Sequence, residues 1–212
     1  MIKGVVFDFD GTIVDSMKII FDALNEALSR RNLPTISLDL LGRMAGRPIS
    51  DILNAEMTVP EPIKKAVEKD VFNAYAEFCR TSCQLLPNVE STLKALKSKG
   101  VKLGLLTTTP RKPLKAVVRQ LAIGKNFDIM LAKDDAKNKP DPDGLKQIIT
   151  EFGIRKDECL YVGDSPTDVL TGKAAGVRTI AITTGVTTME QLKEKKPDDI
   201  ITDMEQLLTF VQ

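Results

Sequence analysis

Val5-Val6-Phe7-Asp8-Phe9-Asp10-Gly11-Thr12 is an apolar run that ends abruptly in two carboxylates, a glycine and a hydroxyl. A continuous apolar stretch marks a parallel strand buried on both faces, and open α/β sheets bind ligands at the carboxyl ends of such strands. Asp8 and Asp10 therefore stand where chemistry is done. Side chains alternate along a strand, so the two carboxylates share one side while Phe9 packs the other way. Gly11 lets the backbone turn and come close to a ligand. Taken alone, Asp-x-Asp-Gly is equally what an acidic turn after a strand looks like, so the rest of the chain must discriminate.

Outward from this stretch, Asp15 and Ser16 are placed to cap a helix in which Ile20, Leu24, Ala27 and Leu28 recur at helical spacing. Ile49 to Leu53 predicts a short helix, and Val67, Val71, Ala74 and Phe78 a longer one. Residues 16–82 thus read as a helical insertion, ended by Pro87. From there strands and helices alternate. The predicted strands are Val101–Leu106, Phe127–Leu131, Glu158–Val162 and Arg178–Ile182, with a short terminal βα unit around Ile200 and Leu207. Between them lie helices around Leu93, around Val117, from an Asp141 N-cap with Pro142 at its first position, and from Ser165-Pro166 to Gly176. This alternation predicts an α/β, Rossmann-like parallel sheet with helices on both faces, formed by residues 1–15 and 83–212.

Composition narrows the class. With 212 residues, 42% hydrophobic and 28% charged, the chain can bury a sizeable core. Thirty basic against 29 acidic residues leave a net charge of +1, so no global field advertises nucleic acid or an anionic membrane. No apolar run approaches the ~20 residues that span a bilayer, and the first strand is too short and too acidic for a signal peptide. A cytoplasmic monomer is expected. Three cysteines in no framework spacing suit a reducing compartment, and Cys79 with Cys83 make a poor zinc site without a histidine. The absence of His also removes the commonest general base and leaves acid–base work to carboxylates, lysines or water.

In a parallel sheet all strand ends lie on one side. The first delivers Asp8 and Asp10, the second Thr107 and Thr108, the loop after Leu131 carries Lys139-Pro140, and Val162-Gly163 leads into Asp164-Ser165-Pro166-Thr167-Asp168. Four carboxylates in one crevice repel, and a hard divalent cation is the simplest neutraliser. Mg²⁺ fits best. It binds few carboxylates, keeps waters and commonly shares its shell with a phosphate, which points to a phosphorylated substrate.

Asp8-Phe9-Asp10-Gly11-Thr12, Leu105-Leu106-Thr107, Lys139-Pro140 and Gly163-Asp164-Ser165-Pro166-Thr167-Asp168, in this order and with a helical insertion after the first, resemble the four motifs of the haloacid dehalogenase superfamily, in its phosphoglycolate phosphatase and β-phosphoglucomutase-like branch. The resemblance covers the whole chain. It implies that Asp8 attacks phosphorus to form an aspartyl phosphate and that Asp10 protonates the leaving oxygen and then activates water. It implies Mg²⁺ on Asp8, Asp164 and the Asp10 carbonyl, with Asp168 supporting the metal, and Thr107 with Lys139 on the phosphoryl oxygens. Gly11, Thr12 and Thr108 would line the phosphate. Relatives often carry Asn where Thr108 stands, and Lys137 lies near enough to compete with Lys139, although Pro140 favours the latter.

By the same resemblance the insertion is a cap domain that excludes water and selects a small phosphorylated metabolite. Its loop Gly42–Pro48 is similar to the branch's substrate-contacting loop, with Gly46 and above all Arg47 in contact with substrate; Arg111 and Lys112 are weaker candidates. The expected activity is a Mg²⁺-dependent phosphomonoester hydrolysis. A phosphosugar mutase that recycles the phosphoaspartate is the enzymatic alternative. A phosphoaccepting receiver module is the non-enzymatic one, although receivers place the acceptor on a later strand and lack the insertion.

Overall fold

The computed structural model describes residues 1–81 and 83–211, and the side chains of these except at positions 56 and 79–81. Position 82, the last of the expected insertion, and the Cys79 thiol lie outside the described residues. Six parallel strands form one sheet: β1 (Gly4–Phe7), β2 (Lys102–Leu106), β3 (Ile129–Leu131), β4 (Cys159–Gly163), β5 (Arg178–Ile182) and β6 (Asp199–Ile201). They lie side by side in the order β3-β2-β1-β4-β5-β6, which puts β1 between β2 and β4.

The pleat explains the apolar run. Val5 and Phe7 join Leu103, Leu105, Leu160 and Val162 on one face of the sheet, against α5 (Val89–Ser98) and α6 (Arg111–Gln120). Val6, Leu106 and Tyr161 point the other way, towards Leu145, Ile148 and Phe152 of α7 (Asp143–Phe152). Burial on both faces is what a central strand without polar alternation requires. The strand ends at Phe7, so Phe9 reaches the α5/α6 face from the loop beyond it, fully buried.

Between β1 and β2 the chain forms α1 (Met17–Ser29), α2 (Leu38–Met44), α3 (Ile49–Glu56) and α4 (Glu61–Thr81). Leu24, Leu28, Leu41, Leu53, Val67 and Val71 bury their side chains in a cluster separate from those that cover the sheet. Each fully buried leucine there contributes ~1.5–3 kcal/mol. The segment leaves and rejoins the sheet through a paired neck: Val14 bridges Leu85 antiparallel, Leu86 N donates to Ile13 O at 3.0 Å, and Asp15 N to Gln84 O at 3.1 Å.

Several local expectations are corrected. Gly42 to Met44 are not loop but the end of α2, capped by Ser37, whose hydroxyl accepts from Leu40 N. Asp141 is not the N-cap of α7. The helix starts one residue later, with Pro142 at the cap position and the Asp141 carboxylate accepting from Asp143 N. Ser16 caps α1 by position only, because its hydroxyl donates elsewhere. The helices α8 (Pro166–Ala175) and α9 (Met189–Glu194) complete the chain with a 3₁₀ segment at Met204–Phe210; α9 was not expected from the sequence.

Candidate active site

All the predicted groups except those of the insertion gather at the carboxyl edge of β1, β2 and β4. After Phe7 the Asp8 amide still pairs with Val162 O at 2.8 Å, and three successive amides, from Thr12, Ile13 and Val14, then turn inward onto Phe9 O. That tight turn needs Gly11 at φ +82°, and a Cβ there would strike the Asp164 carboxylate. Gly185 presses on the same carboxylate from another side, so Asp164 is held between two glycine backbones.

Asp8, Asp164 and Asp168 each place a carboxylate oxygen within 4.8 Å of the others, all three buried. Lys139, 2% exposed, inserts its ammonium between Asp8 Oδ1 at 2.9 Å and Asp168 Oδ1 at 2.6 Å. This separates it from Lys137, which is exposed and lies 3.8 Å from Asp141. Burial pushes the Asp8 carboxyl well above the usual carboxylate range, and Asp168 adds to the rise while Lys139 opposes it. Burial, with the charge of Asp168, also lifts Asp164 to about 7, against a donated bond from Thr12. Lys139 goes the other way. Burial favours its neutral form, but the charges of Asp168 and Asp8 outweigh that and raise it further above its ordinary value.

Asp168 and Thr12 are each tied to other side chains of the site. Asp168 is held low: burial alone would raise its carboxyl, but Lys139 and donors from Ser165 and Tyr161 overcome this. Its Oδ2 accepts from Ser165 N and Oγ, and its Oδ1 from Tyr161 and Lys139, so it braces the ammonium through a capping box at the start of α8. Thr12, expected at the phosphate, is fully buried and donates to Asp164 Oδ1 at 2.6 Å. Gly11 likewise shapes the turn and gives its carbonyl to Thr184.

The Asp10 carboxylate stands apart from the cluster of Asp8, Asp164 and Asp168. Three hydroxyls claim it: Ser16 and Tyr75 donate to Oδ1 at 2.7 Å each, and Thr109 to Oδ2 at 2.5 Å. Thr107 is buried and accepts from Thr109 N at 3.0 Å, and half-buried Thr108 faces the cavity beside it. Sequence reasoning missed Thr109 and Tyr75. The chain has only two tyrosines, and both hydroxyls donate to a site carboxylate.

A cavity of about 70 Å³ opens over this edge. At ~10–15 Å³ per water it holds a handful of waters or a phosphate-sized group. Its floor is Asp8, Asp10, Thr107 to Thr109 and Asp164, and its roof is apolar, with Leu41, Ile52, Val71 and Phe72 from the helical segment. Gly46 and Arg47 also line it. Gly46, at φ +79°, lies so close to Ser165 and Thr167 that a Cβ would hit both, and Thr167 Oγ1 donates to Ala45 O at 2.7 Å. Arg47 is exposed and makes no ion pair among the described residues, whereas Arg111 is paired with Asp135 and does not line the cavity. Glu68 of α4 lines the wall and pairs with Lys133 of the loop after β3.

A parallel sheet with a buried carboxylate–lysine cluster at its carboxyl edge, under a helical roof, is the architecture of a class of α/β hydrolases. The chain belongs to the haloacid dehalogenase-like hydrolases, whose family pattern matches residues 5–182. It is 30% identical over 216 residues to a phosphoglycolate phosphatase of Photorhabdus laumondii, covering 99% of this chain and 92% of that protein. A phosphoglycolate phosphatase of Rhodospirillum rubrum is 32% identical over 196 residues, 87% of this chain and 81% of that one. The solved structure of a hydrolase from Pseudomonas syringae shares the fold with a TM-score of 0.89 at 23% identity, covering 99% and 97% of the two chains. The protein is thus a phosphatase of this family, a phosphoric monoester hydrolase with a small phosphorylated substrate. No helix among the described residues is long and apolar enough to cross a membrane.

Proposed function

We propose that the protein is a Mg²⁺-dependent phosphatase that hydrolyses a small anionic phosphomonoester through a phosphoaspartate on Asp8, with phosphoglycolate as the first candidate substrate. One observation carries this: two carboxylates on the same floor are held by opposite kinds of partner. Asp8 receives its hydrogen bonds from Lys139 and Phe9 N, which can only donate and so oppose the protonation that burial favours, as a nucleophile requires. Asp10 is surrounded by three hydroxyls, which can donate to its carboxylate or accept from its acid form. That suits a group that must give up a proton and take one back.

In the first step an Asp8 oxygen bonds to phosphorus as the ester P–O bond breaks, and the Asp10 proton goes to the leaving oxygen. In the second, water attacks the phosphoaspartate while Asp10 takes its proton, which frees Asp8 and phosphate. Lys139 and Thr107 bind the phosphoryl oxygens, and Asp168 positions Lys139. Phosphoglycolate enters through the names of the relatives and through Arg47, a cation at the cavity wall that makes no ion pair among the described residues and could meet a second anionic group.

The acidic cluster fits a hard cation: Asp8 and Asp164 are buried oxygen donors whose carboxyls are raised towards neutrality, and a divalent charge would keep both ionised. Asp8, Asp164 and the Asp10 carbonyl would hold it. When bound, Mg²⁺ supplies charge neutralisation at the phosphoryl oxygens. Residues 16–81 act as a cap over a core of 1–15 and 83–211, consistent with their separate buried cluster and paired neck.

Rapid acid quench of turning-over enzyme followed by peptide mass spectrometry tests the reading. One phosphoryl group on Asp8 is expected, absent in Asp8→Asn; a phosphoryl group on another residue, or full turnover by Asp8→Asn, overturns it.

A further inference from the structure

We infer that Tyr75, on the helix that roofs the cavity, is a positioning residue for the acid–base carboxylate, so that seating the helical segment and orienting Asp10 are one event. This rests on the reading of Asp10 as the proton-transfer group.

Two of the three donors to Asp10 come from the sheet side: Ser16 follows the β1 turn and Thr109 follows β2. The third crosses over. Tyr75 is 65 residues away in sequence, fully buried, and donates to Asp10 Oδ1 at 2.7 Å. It lies on α4, where positions 68, 71, 72 and 75 share one face by helical spacing. That face does three things. Glu68 reaches Lys133 beside β3, Val71 and Phe72 wall the cavity, and Tyr75 ends on Asp10.

A carboxyl group turns about two torsions, and Ser16 shares Oδ1 with Tyr75 while, among the described residues, Thr109 is the donor to Oδ2. Without Tyr75 the carboxyl is held by Ser16 on Oδ1 and Thr109 on Oδ2, both from the sheet side, and Oδ1 loses the donor that fixes its direction from the roof. Proton transfer to the leaving oxygen requires an oxygen of Asp10 within hydrogen-bond reach in a fixed direction. Tyr75 therefore acts through Asp10 and does not itself touch phosphorus. If α4 moves away from the sheet, Asp10 loses this donor as the cavity loses its roof, which ties competence for proton transfer to exclusion of water.

The test separates substrates by leaving group. An alkyl phosphomonoester needs its leaving oxygen protonated, whereas p-nitrophenyl phosphate expels a stable phenolate. Tyr75→Phe should lower kcat/KM about tenfold to thirtyfold for an alkyl phosphate, and the loss should shrink to within about threefold for p-nitrophenyl phosphate. Thr109→Val, which removes the opposite donor, should give the same selectivity and keeps the test valid if Tyr75→Phe does not fold. Asp10→Asn is measured alongside. If Asp10→Asn discriminates between the substrates but the Tyr75 and Thr109 variants lose both equally, the hydroxyls only support packing and the inference is overturned while the role of Asp10 stands. If Asp10→Asn itself loses both equally, the acid–base reading fails, and the inference with it.

Discussion

Replacing Lys139 by methionine removes the one cation inside the acidic cluster while keeping a flexible chain of similar length. Its ammonium touches Asp8 at 2.9 Å and Asp168 at 2.6 Å, in a site where all three side chains are almost completely buried. Deleting one partner of such a buried array costs ~3–5 kcal/mol, because the remaining charges have lost their compensation. Against a total stability of ~5–15 kcal/mol this is a large fraction, and with a urea slope of ~2 kcal/mol per molar it lowers the unfolding midpoint by roughly 2 M. The loss depends on pH with a definite sign. In the wild type Asp168 is held below its ordinary range, so its contribution is present above about pH 4 and declines in acid. Without Lys139, burial and mutual repulsion raise Asp168 and raise Asp8 further. Their contribution is then complete below about pH 4 and is lost as pH rises. Urea unfolding of both proteins in excess chelator should show a gap that is widest near pH 8 and narrows towards pH 5. A gap of the same size at both pH values, or no gap, would refute the assignment of Lys139 as charge compensator. Turnover should fall by ~10²–10³, as loss of one charge-stabilising group at the phosphoryl centre does.

Chelation should abolish turnover, and added Mg²⁺ should raise Tm more near pH 8 than near pH 5.5. The neutral Asp164 carboxyl favours the metal-free fold below about pH 4, that advantage is lost as pH rises through about 7, and protons compete for the oxygens the cation needs; equal shifts at both pH values would contradict this. Arg47→Ala should lower kcat/KM for the preferred metabolite about tenfold or more and barely alter turnover of a bare aryl phosphate, which has no second anionic group. Equal losses on both would place Arg47 at the transferred phosphate or in folding of the roof.

The alternation of apolar runs with helical stripes was enough to predict a parallel α/β sheet, because β1, β2 and β4 are buried on both faces and carry no competing pattern. Boundaries were harder to read. α2 hid because Gly42 sits inside it, where a Cβ would press on Val186 O and Gln191, so a packing requirement imitates a loop residue. α9 hid in a polar stretch whose start depends on a Thr188–Gln191 capping box. The site residues at strand ends were legible since each follows directly from its strand. Their individual duties were not, because the partners lie far away in sequence. Nothing local to Asp168 announces that Lys139 and Tyr161 occupy Oδ1, and nothing near Asp10 points to Tyr75. A tyrosine among the apolar stripe of α4 reads as core, and it is indeed fully buried; its hydroxyl simply ends on a carboxylate.

The strand order also governs the sequence of events as the chain is made. β1 is the first strand to leave the ribosome, yet the strands that flank it begin at Lys102 and Cys159. At ~5–20 residues per second, its backbone waits several seconds for its first neighbour and longer for its second. The helices of residues 17–81, whose buried cluster draws almost entirely on local side chains, can condense during that interval. A nascent chain therefore carries a folded helical bundle tethered to an unpaired strand, and the acidic edge of β1 acquires Lys139 and the carboxylates of Asp164 and Asp168 only when the segment from β3 to α8 has emerged and docked.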